Sequence, residues 1–310
     1  MRLIFGVVSL LFISLVTFLA DEIAPGDLAT VRAGEKATLA QVERLREELG
    51  LNRPWPVRYV EYITKAVKLD FGTSAIGTQK PIKETLSKAI PMTAKIAFLS
   101  VLIAAFFGIL LGTTAAVYEN RFADRAVLSL STLGVTIPNY VLLPIMVWIF
   151  ALNLNYLPTS WAPDGQRVAS DIFYLILPVI ALSLRPMATL TRLTRASMVD
   201  TLRQEYVSLA VAKGVPPFRL LTKHAFRNAI LPVLTVIGTS FGYLLTGSFV
   251  IERAYQIPGV GFEAIFAITQ GDTPMILAST LVTGAMFILV NLLVDLVLPI
   301  IDPRIRESQV

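Results

Sequence analysis

Residues 205–232 read EYVSLAVAKGVPPFRLLTKHAFRNAILP, and the fold is decided by what this stretch is and what stands on either side of it. It is the longest stretch rich in polar and charged residues after the first third of the chain, and apolar segments flank it at both ends. Leu202, Tyr206 and Leu209 recur at helical spacing, while Arg203, Gln204 and Glu205 take the other faces. Ala210 and Ala212 keep the helix slim enough for another surface to approach. Gly214 suits a helix C-cap, where a positive φ costs glycine little. Pro216 and Pro217 suit the start of a second helix, where a missing N–H is no loss. That helix carries Arg219, Lys223 and Arg227 four apart, hence on one face. Asn228 and Pro232 lead into the next apolar segment. The expected order is helix, glycine break, basic helix, membrane span.

Composition agrees with a membrane setting. The chain has 310 residues, 55% hydrophobic and 16% charged, with a mean hydropathy of +0.67. Soluble domains carry about 25% charged residues. The net charge of +5 is modest, and no basic, aromatic-laced patch stands on a soluble domain, so nucleic acid is not expected as a partner. With no cysteine, disulfides, thiolate metal sites and a cysteine nucleophile are excluded. The single histidine, His224, rules out a histidine metal cluster within one chain; set in the polar loop, it makes no plausible Ser/His/Asp set and reads as a structural or subunit-contact residue. No G-x-x-x-x-G-K-[ST] occurs, so the chain has no P-loop of its own. No catalytic, cofactor or metal residues are assigned, and the residues lining any pathway are not identified.

Along the chain, Leu3–Ala20 is an apolar run too long for an ordinary signal-peptide core and lacks a clear cleavage site before Asp21. It reads as a first span with a cytoplasmic N-terminus, 1–20. Residues 21–95 form an extracytoplasmic insert. Within it, Thr38 and Gln41 read as a capping box, ahead of a stripe of Leu39, Val42, Leu45 and Leu49 closed by Gly50. A second amphipathic helix begins near Pro54 and carries Val57, Val60, Ile63 and Val67; either helix fits the membrane surface or the bundle. Five further spans are expected near Ile96–Tyr118, Val127–Leu152, Ile172–Leu190, Ala229–Ile251 and Pro274–Ile301, each meeting the roughly 20 residues a bilayer requires. They make a core of 96–303 that includes a loop at 197–228, with a tail at 304–310. Gly108 and Gly112 have the spacing that lets helices approach. Pro138, Pro144 and Pro178 are expected to kink or open their helices. Asp295 reads as a packing or capping carboxylate near the inner surface.

Orientation follows from the short loops. Arg121 and Arg125 fall in one cytoplasmic loop, and Arg192, Arg195, Arg203, Lys213, Arg219, Lys223 and Arg227 in the next. Arg304 and Arg306 fall in the tail. The short outer loops hold chiefly Arg167 and Arg253. Both termini are thereby placed in the cytoplasm.

The stretch quoted first also resembles the "EAA" cytoplasmic loop of permease subunits of bacterial ABC importers. The match is to the peptide and nickel branch, in which A-x-A-K-G is followed by H-A-x-R-N-A and L-P. Here those residues are Ala210, Ala212, Lys213 and Gly214, then His224, Ala225, Arg227, Asn228 and Ala229, then Leu231 and Pro232. Ser208 and Leu209 stand where the general pattern has Glu and its first Ala, and the proline lies farther from the glycine than in sugar-importer permeases. Further stretches resemble the same family: Pro25-Gly26-Asp27, residues 45–51, residues 70–74, Ile257-Pro258-Gly259-Val260-Gly261, residues 291–295 and Asp302-Pro303-Arg304.

The resemblance implies an all-α membrane protein of six transmembrane helices with an extracytoplasmic helical insert and an EAA-type coupling hairpin, like type I ABC importers. It implies coupling to the ATPase through Ser208, Leu209, Ala210, Ala212, Lys213, Gly214, Val215, Pro216, Pro217, His224 and Arg227. It implies as partners a homologous second permease, two P-loop ATPase subunits, an extracytoplasmic substrate-binding protein and bilayer lipid, in a bacterial inner membrane. The cargo it implies is a di- or oligopeptide, with nickel, glutathione or glycosides as alternatives. The rival from another class is an ion-coupled secondary transporter, which predicts charges within spans and paired broken helices in matching halves. Intramembrane charge is sparse here and no such halves are evident.

Overall fold

The computed structural model describes residues 2–24, 28–34, 36–77, 79–163 and 170–301. Readings that rest on Pro25, Gly26 and Asp27, on Arg167, and on Asp302, Pro303, Arg304 and Arg306 lie outside the described residues. In chain order the helices are α1 (Arg2–Ile23), α2 (Leu28–Ala33), α3 (Leu39–Glu48), α4 (Trp55–Val67), α5 (Ile82–Val117), α6 (Phe122–Thr136), α7 (Asn139–Val147), α8 (Asp171–Leu202), α9 (Glu205–Ala212), α10 (Pro217–Arg219), α11 (Phe226–Gly247), α12 (Phe249–Ala254), α13 (Val260–Gln270) and α14 (Thr273–Ile301). Wider π turns occupy Trp148–Asn153 and Leu220–Ala225. Among the described residues the β structure is an isolated bridge between Thr73 and Pro81.

Among the described residues five helices are long and apolar enough to cross a bilayer: α1, α5, α8, the continuous run Pro217–Gly247, and α14. The sixth span corrects the sequence reading. Instead of one helix over Val127–Leu152, the chain forms Phe122–Thr136 and Asn139–Asn153, bent by 100° between them. Pro138 is the cause. It has no N–H, and its ring drives the preceding residue out of the helical region; Ile137 is extended, at φ −84° and ψ 120°. Pro144 and Pro178 lie inside α7 and α8 and do not end them.

The chain forms two compact units, residues 1–94 with 245–289, and residues 95–244 with 290–310. In the first, Thr38 caps α3 as its sequence predicts: its hydroxyl accepts from Gln41 N, and its own N–H donates to Gln41 Oε1 at 2.8 Å. Helix α4 starts after Pro54 and packs on α1 through Tyr59, whose hydroxyl lies 2.9 Å from Ser14 Oγ. Tyr62 donates to the Leu277 carbonyl at 3.1 Å. The α4 stripe of Val57, Val60 and Val67 faces outward, 46%, 62% and 80% exposed, and the tyrosines hold the inner side.

Two buried carboxylates close this unit. Asp272, at the head of α14, accepts from Ala75 N at 3.0 Å and from Ser74 Oγ at 2.5 Å. Glu252 is fully buried and accepts from Ser248 Oγ at 2.7 Å, Gly261 N at 2.8 Å and Phe262 N at 3.2 Å. Its carboxylate thus caps the first turn of α13, where free N–H groups and the helix dipole favour negative charge. Thr93 Oγ1 takes the neighbouring Val260 N–H at 2.9 Å. Burial pushes the Glu252 carboxyl above its ordinary range, opposed by the hydrogen bonds from Ser248, Thr93, Phe262 and Gly261. The Pro258–Gly261 element is what lets the chain come this close: a Cβ on Gly261 would sit 2.4 Å from the Phe249 Cα.

In the second unit α5 crosses α8 at Gly108 and Gly112. A Cβ on Gly112 would lie 2.5 Å from the Thr191 carbonyl oxygen, so the small-residue spacing here marks a real close approach. Ala104, Leu190 and Val233 form the core at that level. Ala116, Met198, Val199, Ala225 and Ala229 form a second core below the hairpin. Asp295, on α14, is half-buried.

Candidate functional site

The stretch that opened the sequence reading folds as a hairpin on the second unit. Helix α8 ends at Leu202, with Arg203 as its C-cap, and Gln204 begins α9. Eight residues later α9 closes on Lys213 and Gly214. Gly214 has φ +75°; its N–H bonds to the Val211 carbonyl at 2.9 Å, and Val215 N bonds to the Ala210 carbonyl at 3.2 Å. These are the two bonds of a Schellman cap, and its left-handed position is the one where an L side chain is strained. Pro216 and Pro217 then start α10, as expected. The second arm is not a separate basic helix, however. It passes through the π turn at Leu220–Ala225 directly into α11, and the whole run Pro217–Gly247 is one helix of 31 residues.

The π turn and the break at Arg203 both shift helical phase, and this corrects the expected faces. The stripe of Leu202, Tyr206 and Leu209 does not run on as one face: Leu202 packs on the core of Met198, Ala225 and Ala229. The inner residues of α9 are Val207 and Ala210, while Tyr206 is 42% and Leu209 57% exposed. Arg219, Lys223 and Arg227 are all exposed, but a π turn lies between the first and the last, so four-residue spacing no longer fixes a shared face.

Of the residues singled out in the sequence, Ser208, Leu209, Ala212, Lys213, Gly214, Pro216, Pro217 and Arg227 are exposed, Val215 and His224 are half-buried, and Ala210 is buried. A Cβ on Gly214 would meet nothing within 4 Å. Two residues the pattern did not pick out stand with them: Val211 is 56% and Phe218 79% exposed. Phe218, Leu221 and Ala225 read as one apolar stripe at helical spacing. The π turn breaks that register, leaving Leu221 against the lower core and Phe218 outside it. The available signal was an aromatic residue set between Pro217 and Arg219 in an otherwise polar turn.

The hairpin is tied down at its base. Asn228 Nδ2 donates to the Tyr206 hydroxyl at 2.8 Å, and that hydroxyl donates to the His224 carbonyl at 3.4 Å. Arg203 reaches Glu119 at 2.7 Å in the loop between α5 and α6. In the first turn of α6, the buried Asp124 receives a two-pronged bond from Arg195 at 2.5 and 2.6 Å and caps Asn120 N at 2.9 Å. A bidentate guanidinium–carboxylate pair fixes direction as well as distance. The result is a rigid base with an apolar tip formed by Leu209, Val211 and Phe218.

A bundle of spans carrying a braced hairpin with an exposed apolar tip defines a polytopic membrane protein. The chain belongs to the family described as binding-protein-dependent transport system inner membrane component, which matches residues 108–307, with the family's N-terminal component matching 1–97. It is 37% identical over 306 residues to a probable peptide ABC transporter permease of Sinorhizobium fredii, covering 98% of this chain and 97% of that protein. It is 35% identical over 299 residues to the dipeptide transport system permease of Bacillus subtilis, covering 96% and 94%. It is 35% identical over 305 residues to the glutathione transport system permease of Salmonella typhimurium, covering 98% and 97%. The protein is accordingly a multi-pass inner-membrane permease of an ABC importer.

Proposed function

We infer that this permease carries di- or oligopeptides, received from an extracytoplasmic binding protein, along a path shared with a homologous second permease. Two P-loop ATPase subunits supply the energy, and the α9–α10 hairpin, with Ser208 to Pro217, His224 and Arg227, receives their movement. The N- and C-termini and the hairpin face the cytoplasm; the insert over 21–95 faces outward. The observation that carries this reading is the hairpin tip. Leu209, Val211 and Phe218 are more than half exposed on a braced base, and burying each in a partner's cleft is favourable by about 1.5–3 kcal/mol before association costs. The peptide cargo is supported by the peptide, dipeptide and glutathione permeases that this chain is similar to.

The test is the assembled importer in lipid nanodiscs. Phe218→Asp should leave the permease in the membrane at normal level, while ATPase co-purification or peptide-stimulated ATP hydrolysis is lost. Wild-type coupling in that variant would refute the docking role. Orientation is read separately, because the chain has no cysteine of its own. Single cysteines at Ser170 and Gln270 should label from outside intact cells, and one at Asp200 only after permeabilisation; the reverse pattern would invert the assignment.

A further inference from the structure

The third span is broken partway along its length, with a bend of 100°. Helix α6 has 15 residues, so it rises about 22 Å before it stops. Its depth can be read against α8. At one end Asp124 grips Arg195. Near the break, a Cβ on Gly134 would touch the Leu184 carbonyl at 3.4 Å and Ala188 Cβ at 3.5 Å. Leu184 stands about 20 Å along α8 from its start at Asp171 and about 16 Å from Arg195. The break is therefore close to the middle of the span.

Backbone polarity is open there. Pro138 offers no N–H to the Gly134 carbonyl, and the first bonds of α7 from Val141 and Leu142 go to the Pro138 carbonyl. The carbonyls of Val135, Thr136 and Ile137 are left without a helical donor. Asn139 adds a buried side-chain oxygen with no partner among the described residues. Thr136, Ile137, Pro138 and Tyr140 are nonetheless exposed on this chain, Tyr140 by 59%. Ser129, Thr132 and Thr136, at helical spacing, are exposed on the same side; the Thr132 and Thr136 hydroxyls donate to the Leu128 and Thr132 carbonyls, so the open groups are those of the break itself. Hydrocarbon cannot satisfy such groups; irregular backbone at this depth persists only against protein or water.

We propose that this face, from Ser129 through the break to Tyr140, lines the water-filled path and that its open carbonyls accept the amide N–H groups of an extended peptide. A ligand read through its backbone is accepted whatever its side chains are. Beside the break lies an apolar cavity of about 360 Å³, lined by Leu111, Leu130, Leu133, Ile137, Leu184 and Met187 among others, of a kind to hold one apolar side chain. The proposal rests on the reading of the chain as half of a peptide path.

Single cysteines at Thr132, Thr136 and Tyr140 test it in the complete importer in proteoliposomes, with Phe12 on α1, 66% exposed, as the lipid-facing control. The probe is the permanently charged trimethylammonium-ethyl methanethiosulfonate. A charge is penalised at the bilayer centre enough that the three positions should react about a hundredfold faster than Phe12. Excess tri-alanine should slow the reaction at Thr136. Reaction at the control rate, in a native complex that imports tri-alanine, overturns this assignment alone, whether lipid or the second permease covers the face. Fast reaction that tri-alanine does not slow in such a complex overturns it as well. A native complex that imports no peptide overturns the functional reading above and the peptide half of this proposal together.

Discussion

The head of α13 and the tip of the α9–α10 hairpin are both turns built around glycine, and they are finished in opposite ways. At the first, Glu252 is fully buried, each nearby donor has an acceptor, and a Cβ on Gly261 would strike backbone. At the second, the backbone is as well bonded, but among the described residues nothing lies within 4 Å of a Cβ on Gly214. The first turn is complete within one chain. The second has a finished skeleton and an unfinished surface. A closed turn answers to mutation through stability, and an open one through association, so the two can be separated by choosing the assay.

The largest effect is expected from Glu252→Ala. It strands Ser248 Oγ, Gly261 N and Phe262 N in a buried site, at a cost of about 1–3 kcal/mol for each donor left unsatisfied. The thermal midpoint of the purified permease should drop sharply; an unchanged midpoint would show the cluster to be ornamental. Gly214→Val comes next. Its left-handed φ costs an L-residue roughly 1–2 kcal/mol, and its bulk stands at the proposed contact. Transport should fall by at least the roughly 5–30-fold this strain represents, with membrane level intact. Normal level, retained ATPase and wild-type transport together would remove the hairpin from the coupling route.

A smaller effect is expected from pH. Burial raises the carboxyls of Glu252 and Glu263. A carboxyl raised on folding gives stability that is full below its ordinary value and is lost as pH rises through its raised one. The midpoint of the purified permease should decline with pH above the ordinary carboxylate range, and Glu252→Gln should flatten that decline. A midpoint that rises over the same interval would reverse the assignment. The smallest effect should come from Arg219→Ala or Lys223→Ala, exposed charges worth about 0–1 kcal/mol each. Transport within twofold or so of wild type is the expectation; a loss as deep as that of Gly214→Val would move the contact from the glycine turn to the basic arm.

What could be read in advance follows the range of the interactions. The capping box at Thr38, the helix start after Pro54 and the cap at Gly214 are settled within five residues, and all three stand as their sequences indicate. Hydropathy located the apolar segments, because burial in lipid is additive along a helix. It did not show the 100° turn at Pro138, since a hydropathy window records composition and not direction. The outward turn of Tyr206 and Leu209 was hidden for a related reason: helical periodicity presumes one continuous phase, and the break at Arg203 resets it. The pairing of Ser74 with Asp272 joins residues nearly two hundred positions apart, and no local pattern announces such a bond.

The continuity of α10, its π turn and α11 changes what kind of part the hairpin is. One arm is the lower end of a rod of 31 residues, about 46 Å long. A rod of that length turned by about 5° at its foot carries its far end through about 4 Å, the width of a peptide's backbone. A small rotation at the foot of such a rod would be a large displacement at its far end, with no chain of intervening contacts required to relay it.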